Sequence, residues 1–228
     1  MRARKQLFIF GAFAAAQIAA ATCLNSCPFV PFDNYSADPA QDVLLIPSGN
    51  ATTEMLQQVA GAANAALTGT GFETRYQVGE RYVNGNQVPD VTPVQIQFIT
   101  DKSFFGTKFT KDSETVAFIS KGHNEGQTEV VEATIYVNLT ASCGNTTCLN
   151  PNVANYAQAV ENLLLHEGLG HLFGLNDSVT ASSMMGPGNG GVNDTTANRA
   201  PNACDVGALE MRRKNQAEGN RSCGILSL

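Results

Sequence analysis

Positive charge is scarce in this chain. Its 228 residues hold 14 lysines and arginines against 20 acidic residues, and three of the basic ones, Arg2, Arg4 and Lys5, sit at the N-terminus. An apolar run from Leu7 through Ala16 follows them, and Ala19, Ala20 and Ala21 supply small residues for cleavage, so residues 1–21 read as a secretory signal peptide. Without that segment the basic residues fall to 11 against 20 acidic ones, a formal charge of −9. A field of this sign attracts neither nucleic acid nor an anionic membrane surface, and no partner of either kind is expected. Long apolar runs are lacking too. The N-terminal run is broken by Gln17 and falls short of the ~20 residues a membrane span needs, and no other stretch comes near that length. Neither internal repeats nor a long biased linker divides the rest, so residues 22–228 are expected to form one secreted, extracellular domain, monomeric, with enough apolar residues (43% of the chain) for a real core. The one basic cluster, Arg212-Arg213-Lys214, is expected to be the solvated end of a helix with a favourable dipole.

Six cysteines remain after residue 21: Cys23, Cys27, Cys143, Cys148, Cys204 and Cys223. An even number behind a signal peptide implies disulfides. Cys143 with Cys148, and Cys204 with Cys223, are the first pairings to expect. N-glycosylation sequons begin at Asn34, Asn50, Asn138, Asn145, Asn176, Asn193 and Asn220, a density that suits a secreted surface.

After a Pro-rich lead-in from Pro28 to Pro39, Val43–Ile46 reads as a strand. Thr52 or Thr53 caps a helix whose Met55, Leu56, Val59, Ala63 and Leu67 share one face, ended by Gly69 and Gly71. Phe72–Val78 alternates as a strand, Asn84-Gly85 marks a turn, and Val94–Phe98 and Ala133–Leu139 are further strands, the last following a polar loop that contains His123. Val153–Phe173 has helical periodicity, and a last helix is expected near Asn202–Gln216. This order predicts an α+β domain, a mixed twisted sheet backed by two long helices.

Toward the end of the helical segment Val153–Phe173 stands His166-Glu167-Gly168-Leu169-Gly170-His171. Two histidines four apart lie ~40° apart around a helix and can share a metal; five apart they diverge by ~140°. A single-turn π-bulge absorbs the extra residue, and Gly168 and Gly170 lower the barrier to such a backbone. Two other arrangements are open. The glycines can instead serve close packing of Leu169 against the sheet, with the histidines unrelated. Alternatively an unbroken helix presents Glu167 and His171 together as ligands, with His123 completing the set. Downstream, Gly174 turns the chain so that Asp177 can swing back as a third donor, and Ser182-Ser183-Met184-Met185-Gly186-Pro187 places a methionine in a tight turn.

With these residues the chain resembles the metzincin metalloproteases, whose signature is H-E-x-x-H-x-x-G-x-x-H/D followed by a methionine-containing turn. The departure is the added residue between Glu167 and His171. The resemblance covers about residues 160–187, with the closing helix Asp205–Leu209 similar in order only. It implies a metzincin-like zincin domain in which His166, His171 and Asp177 bind Zn2+, Glu167 is the catalytic general base, and Met185 lies beneath the metal. It also implies an extended peptide or protein substrate, held by edge pairing on the strand Ala133–Leu139. No tyrosine follows Tyr156, so the extra tyrosine ligand of some metzincins is missing from its usual place. A secreted zinc endopeptidase is therefore expected. The alternatives are a catalytically inactive zincin used as a binding or effector module, and a zinc hydrolase of a non-peptide substrate. The sequon at Asn176 overlaps Asp177, and it is expected to carry no glycan.

Overall fold

Apolar alternation builds the sheet before any helix packs on it. The computed structural model describes residues 32–101, 103–104, 115–143, 146–149, 151–152, 154, 156–177, 183–186 and 200–217, apart from the side chains of 143, 146 and 215–217. The expected signal peptide, Cys23, Cys27, Cys223, Pro187 and the Gly- and Asn-rich residues 188–193 lie outside these residues.

Strand β1 (Asp42–Ile46) is followed by helix α1 (Thr53–Leu67), strand β2 (Tyr76–Val78), and a hairpin of β3 (Tyr82–Val83) and β4 (Asn86–Gln87). Strands β5 (Val91–Ile99), β6 (Ala117–His123) and β7 (Val130–Asn138) follow. Helix α2 (Tyr156–Leu165) runs into a π-helical turn (His166–His171), and helix α3 (Ala203–Ala217) closes the described chain. The five-stranded sheet has the order β2-β1-β5-β7-β6. Its first four strands are parallel, and β6 alone runs antiparallel, against β7. The fold is thus mixed α+β with a mostly parallel sheet and a few helices.

Helix α1 begins where Thr52 accepts the Met55 N–H, a side-chain N-cap. Leu56, Val59, Ala60, Ala63 and Leu67 are its buried face. One small void is lined by Leu45 of β1, Ile96 of β5 and Ile135 of β7 together with Leu56 and Val59 of α1 and Leu164 and Leu165 of α2. Both helices therefore pack on the same face of the sheet. Pro93 sits inside β5 opposite Leu44, a place without cost because β7 pairing starts only at Val94 and the missing N–H is not called upon.

Several expectations need correction. Of Phe72–Val78 only Tyr76–Val78 is strand, because the N–H groups of Glu73 and Thr74 both turn to the Pro39 carbonyl. The polar segment around His123 is the end of β6, with Lys121 and Gly122 paired to β7. The long helix is α-helical only to Leu165. Arg212 is no solvated residue: it is buried, donates to the Asp33 carbonyl at 2.9 Å, and lies over the Phe32 ring. Asn138 is fully buried, its Nδ2 donating to Thr115 O and its Oδ1 accepting from Thr140, so this sequon is not on the surface. Cys148 and Cys204 are each disulfide-bonded; the side chains of their expected partners, Cys143 and Cys223, lie outside the described set.

Candidate metal centre

Helix α2 enters the core through Val160, Leu164 and Leu165, all buried. At His166 the helix widens. The bonds from Leu175 N–H to the Gly170 carbonyl and from Gly174 N–H to the His171 carbonyl, both at 3.0 Å, are the Schellman ending at Gly174, but Leu172 N–H donates to the Glu167 carbonyl at 3.0 Å, a bond spanning five residues rather than four. Residues five apart thereby return to one face, which is how His166 and His171 meet, with ring centroids 4.7 Å apart and planes at 87°.

The glycines owe their place to close approach. Neither Gly168 nor Gly170 has a positive φ. A Cβ on Gly170 would lie 2.0 Å from Met185 Sδ, and one on Gly168 would lie 3.2 Å from Ile135 Cδ1 of the sheet. Gly174, at φ 81°, does take the left-handed conformation and ends the helix.

Each histidine is oriented through its other nitrogen. His166 Nδ1 donates to Met184 O and His171 Nδ1 donates to Leu175 O, both at 2.8 Å. A carbonyl only accepts, so each Nδ1 carries the proton and each neutral ring offers a lone pair at Nε2. Both Nε2 atoms face Asp177 Oδ1, at 3.3 Å from His166 and 3.4 Å from His171. A carboxylate oxygen also has only lone pairs to offer. Three acceptors converging in this way call for a cation among them, protons on the rings or a metal ion. A tetrahedral zinc with bonds of about 2.0–2.1 Å sets neighbouring donors roughly 3.3 Å apart. The two nitrogen-to-oxygen spacings and the N, N, O donor set fit that ion. The rings are 17% and 21% exposed and Asp177 76%, so the cluster is reached from solvent past the aspartate.

The same geometry acts on protons. Burial disfavours charge on His166, but Asp177, Glu167 and the Met184 carbonyl outweigh it and raise its proton affinity. Asp177 is held far below the usual carboxylate range by His166 and His171. Burial pushes Glu167 upward against the pull of both histidines, and its carboxylate accepts the Ile119 N–H of β6.

Beneath the histidines lies the turn Ser183–Gly186, closed by Gly186 N–H on Ser183 O at 2.9 Å. Asp205, buried in the first turn of α3, accepts from Ser183 Oγ and, at 2.9 Å, from Met184 N–H. It also accepts from Asn202 N–H while Asn202 Oδ1 accepts from the N–H groups of Cys204 and Asp205, a reciprocal capping box. One carboxylate therefore starts α3 and holds Met184, the residue whose carbonyl orients His166. On the other side Lys121 of β6 donates to Asp33 Oδ2, to Tyr35 O at 3.1 Å and to His171 O at 3.0 Å, tying the lead-in segment to the end of the π turn.

Among the described residues, His166, His171 and Asp177 are the group able to hold a metal. Glu167 and His123 are not brought together as ligands: His123 stacks on Tyr35 at 4.3 Å, and its Nδ1 lies 3.2 Å from Asn124 O. The strand Ala133–Leu139 expected to hold substrate is not an edge, because β7 is paired on both sides; among the described residues the outer strand on that side is β6. Sequence reading missed Lys121, Asp205 as a brace for the methionine turn, and Tyr76, whose hydroxyl reaches Gly168 O. Only Asp205 had a legible signal, its position three residues after the capping Asn202. No protein-family model matches this chain, and no curated protein matches it in sequence.

Proposed function

We propose that this chain is a secreted zinc-dependent endopeptidase with a metzincin-like zincin fold, holding Zn2+ through His166, His171 and Asp177. The observation that carries the reading is the convergence of three lone-pair donors, an aspartate and two imidazoles whose N–H sides are already spent on backbone carbonyls. When bound, zinc supplies Lewis acidity, polarising a carbonyl and acidifying water. Glu167, next in sequence to a ligand and buried beside both rings, takes the proton from water and returns it to the leaving amine. Met185, packed against Gly170, supports the floor under the histidines. An extended peptide adds to the sheet at β6, the strand that touches Glu167 through Ile119. The disulfide-bonded Cys148 and Cys204 suit an oxidising, extracellular compartment.

The test is metal analysis of the purified secreted chain together with cleavage of casein and a peptide library. Stoichiometric zinc, turnover in the wild type, and zinc without turnover in Glu167→Ala are expected. Zinc with no Glu167-dependent cleavage would instead mark a binding module. Absence of stoichiometric zinc would remove the enzyme reading altogether.

A further inference from the structure

The widened turn must do something with the carbonyl that an α-helix would have satisfied. In an α-helix Gly168 O accepts the Leu172 N–H, but here that N–H goes to Glu167 O. The Gly168 carbonyl takes its hydrogen bond instead from the Tyr76 hydroxyl, at 2.6 Å, across 92 residues of sequence. Tyr76 is itself held rigidly. It pairs with Val43 in the sheet, and Asn64 of α1 grips its backbone on both sides, Oδ1 accepting the Tyr76 N–H at 2.8 Å and Nδ2 donating to its carbonyl at 3.1 Å. Its ring is buried, and burial raises the phenol far above its ordinary range, so the hydroxyl stays a donor. Tyr76, Gly168 and Leu169 also border the small apolar void between helix and sheet.

We infer that Tyr76 is a positioning residue for the metal ligands: its hydroxyl, bonded to Gly168 O, holds the turn in the five-residue register that brings His166 and His171 to one face. Returning Leu172 N–H to Gly168 would swing His171 away from His166 by restoring the ~140° divergence of a regular helix. The hydrogen bonds of Tyr76 go to Asn64 and to the Gly168 carbonyl, so its hold on the turn acts through the backbone. This inference rests on the metal reading above and names the residue on which that reading depends structurally.

The experiment is chelator competition for zinc, and the visible spectrum of the cobalt(II)-loaded protein, on the full secreted chain and on Tyr76→Phe. Wild type is expected to bind one equivalent. Tyr76→Phe should bind about 10–100-fold more weakly, as for loss of an outer-shell partner, with an altered cobalt spectrum. A residue that served stability alone would lower the melting point and leave both readouts unchanged. Affinity within twofold of wild type and an identical spectrum would overturn the inference while leaving the metal site standing. A wild type that takes up neither metal would overturn the site and the inference with it. Should Tyr76→Phe not fold, Asn64→Ala keeps the hydroxyl but frees its backbone. Weaker binding in that variant supports the inference, and wild-type affinity overturns it.

Discussion

Helix α2 and the π turn that continues it are one continuous piece of chain, yet they are specified by different means. In α2 the sequence itself suffices: Val160, Leu164 and Leu165 recur at helical spacing, and the buried face follows. The six residues from His166 to His171 are instead set by side chains from elsewhere. Tyr76 holds Gly168, Met185 fills the space above Gly170, Ile135 closes on Gly168, and Lys121 takes the His171 carbonyl. The difference teaches that a convergence of two imidazoles forbidden to a regular helix is reached by borrowing constraints from the sheet and one loop. It also says how the halves should fail: α2 through stability, the π turn through the metal.

The largest effect sharpens the functional end of that contrast. Glu167→Ala should lower peptide turnover by about 10²–10⁴-fold with zinc content unchanged, read by steady-state cleavage and metal analysis on the same sample. Next, Leu164→Ala in α2 removes a side chain only 2% exposed and should cost about 2–5 kcal/mol in denaturant unfolding. Zinc affinity of the folded fraction should stay at the wild-type value; a parallel loss of affinity would break the division between the two halves. Gly170→Ala forces a methyl against Met185 Sδ. It should cost about 1–3 kcal/mol as overpacking and, unlike Leu164→Ala, weaken zinc, because Met184 next to the displaced residue carries the carbonyl that orients His166. Undiminished zinc binding would show that the methionine turn shifts without consequence.

The smallest effect concerns the Lys121 tie. Burial alone would raise the Asp33 carboxyl, but Lys121 and the backbone N–H groups of Tyr35 and Asn34 outweigh it and hold it below the ordinary 3.8. A depressed folded value means stability that is present above the ordinary pKa and lost as pH falls through the depressed one. Asp33→Asn should therefore cost up to about 1 kcal/mol near neutrality. The gap from wild type should narrow as pH falls below 3.8 and close only once it has passed the depressed folded value, where Asp33 is neutral in both folded and unfolded chains. A gap independent of pH would assign the tie to packing rather than charge.

What could be read from the sequence was whatever is local. Thr52 at the head of α1, the Leu56/Val59/Ala63/Leu67 stripe, the alternation in β5 and the Asn84-Gly85 turn of the β3–β4 hairpin all announce themselves within a few residues. The need for a π turn was legible too, since it follows from helix geometry and the count between two histidines. Strand β6 was not, because Ser120, Lys121 and Gly122 break its apolar pattern and only pairing with β7 reveals it. For the same reason the wrong strand was expected at the edge. The roles of Tyr76, Arg212 and Lys121 were hidden because each depends on a partner at least fifty residues away.

The buried Asn138 has a consequence for how the protein is made. An oligosaccharide is far too bulky for a side chain with no exposed surface whose amide is committed on both ends. Glycan at this asparagine and completion of β7 are therefore mutually exclusive fates for any one molecule. In a glycosylating host, early modification at Asn138 diverts chains from folding, and site-specific mass spectrometry of the soluble product should find that position bare while the exposed Asn34 and Asn50 remain open to sugar.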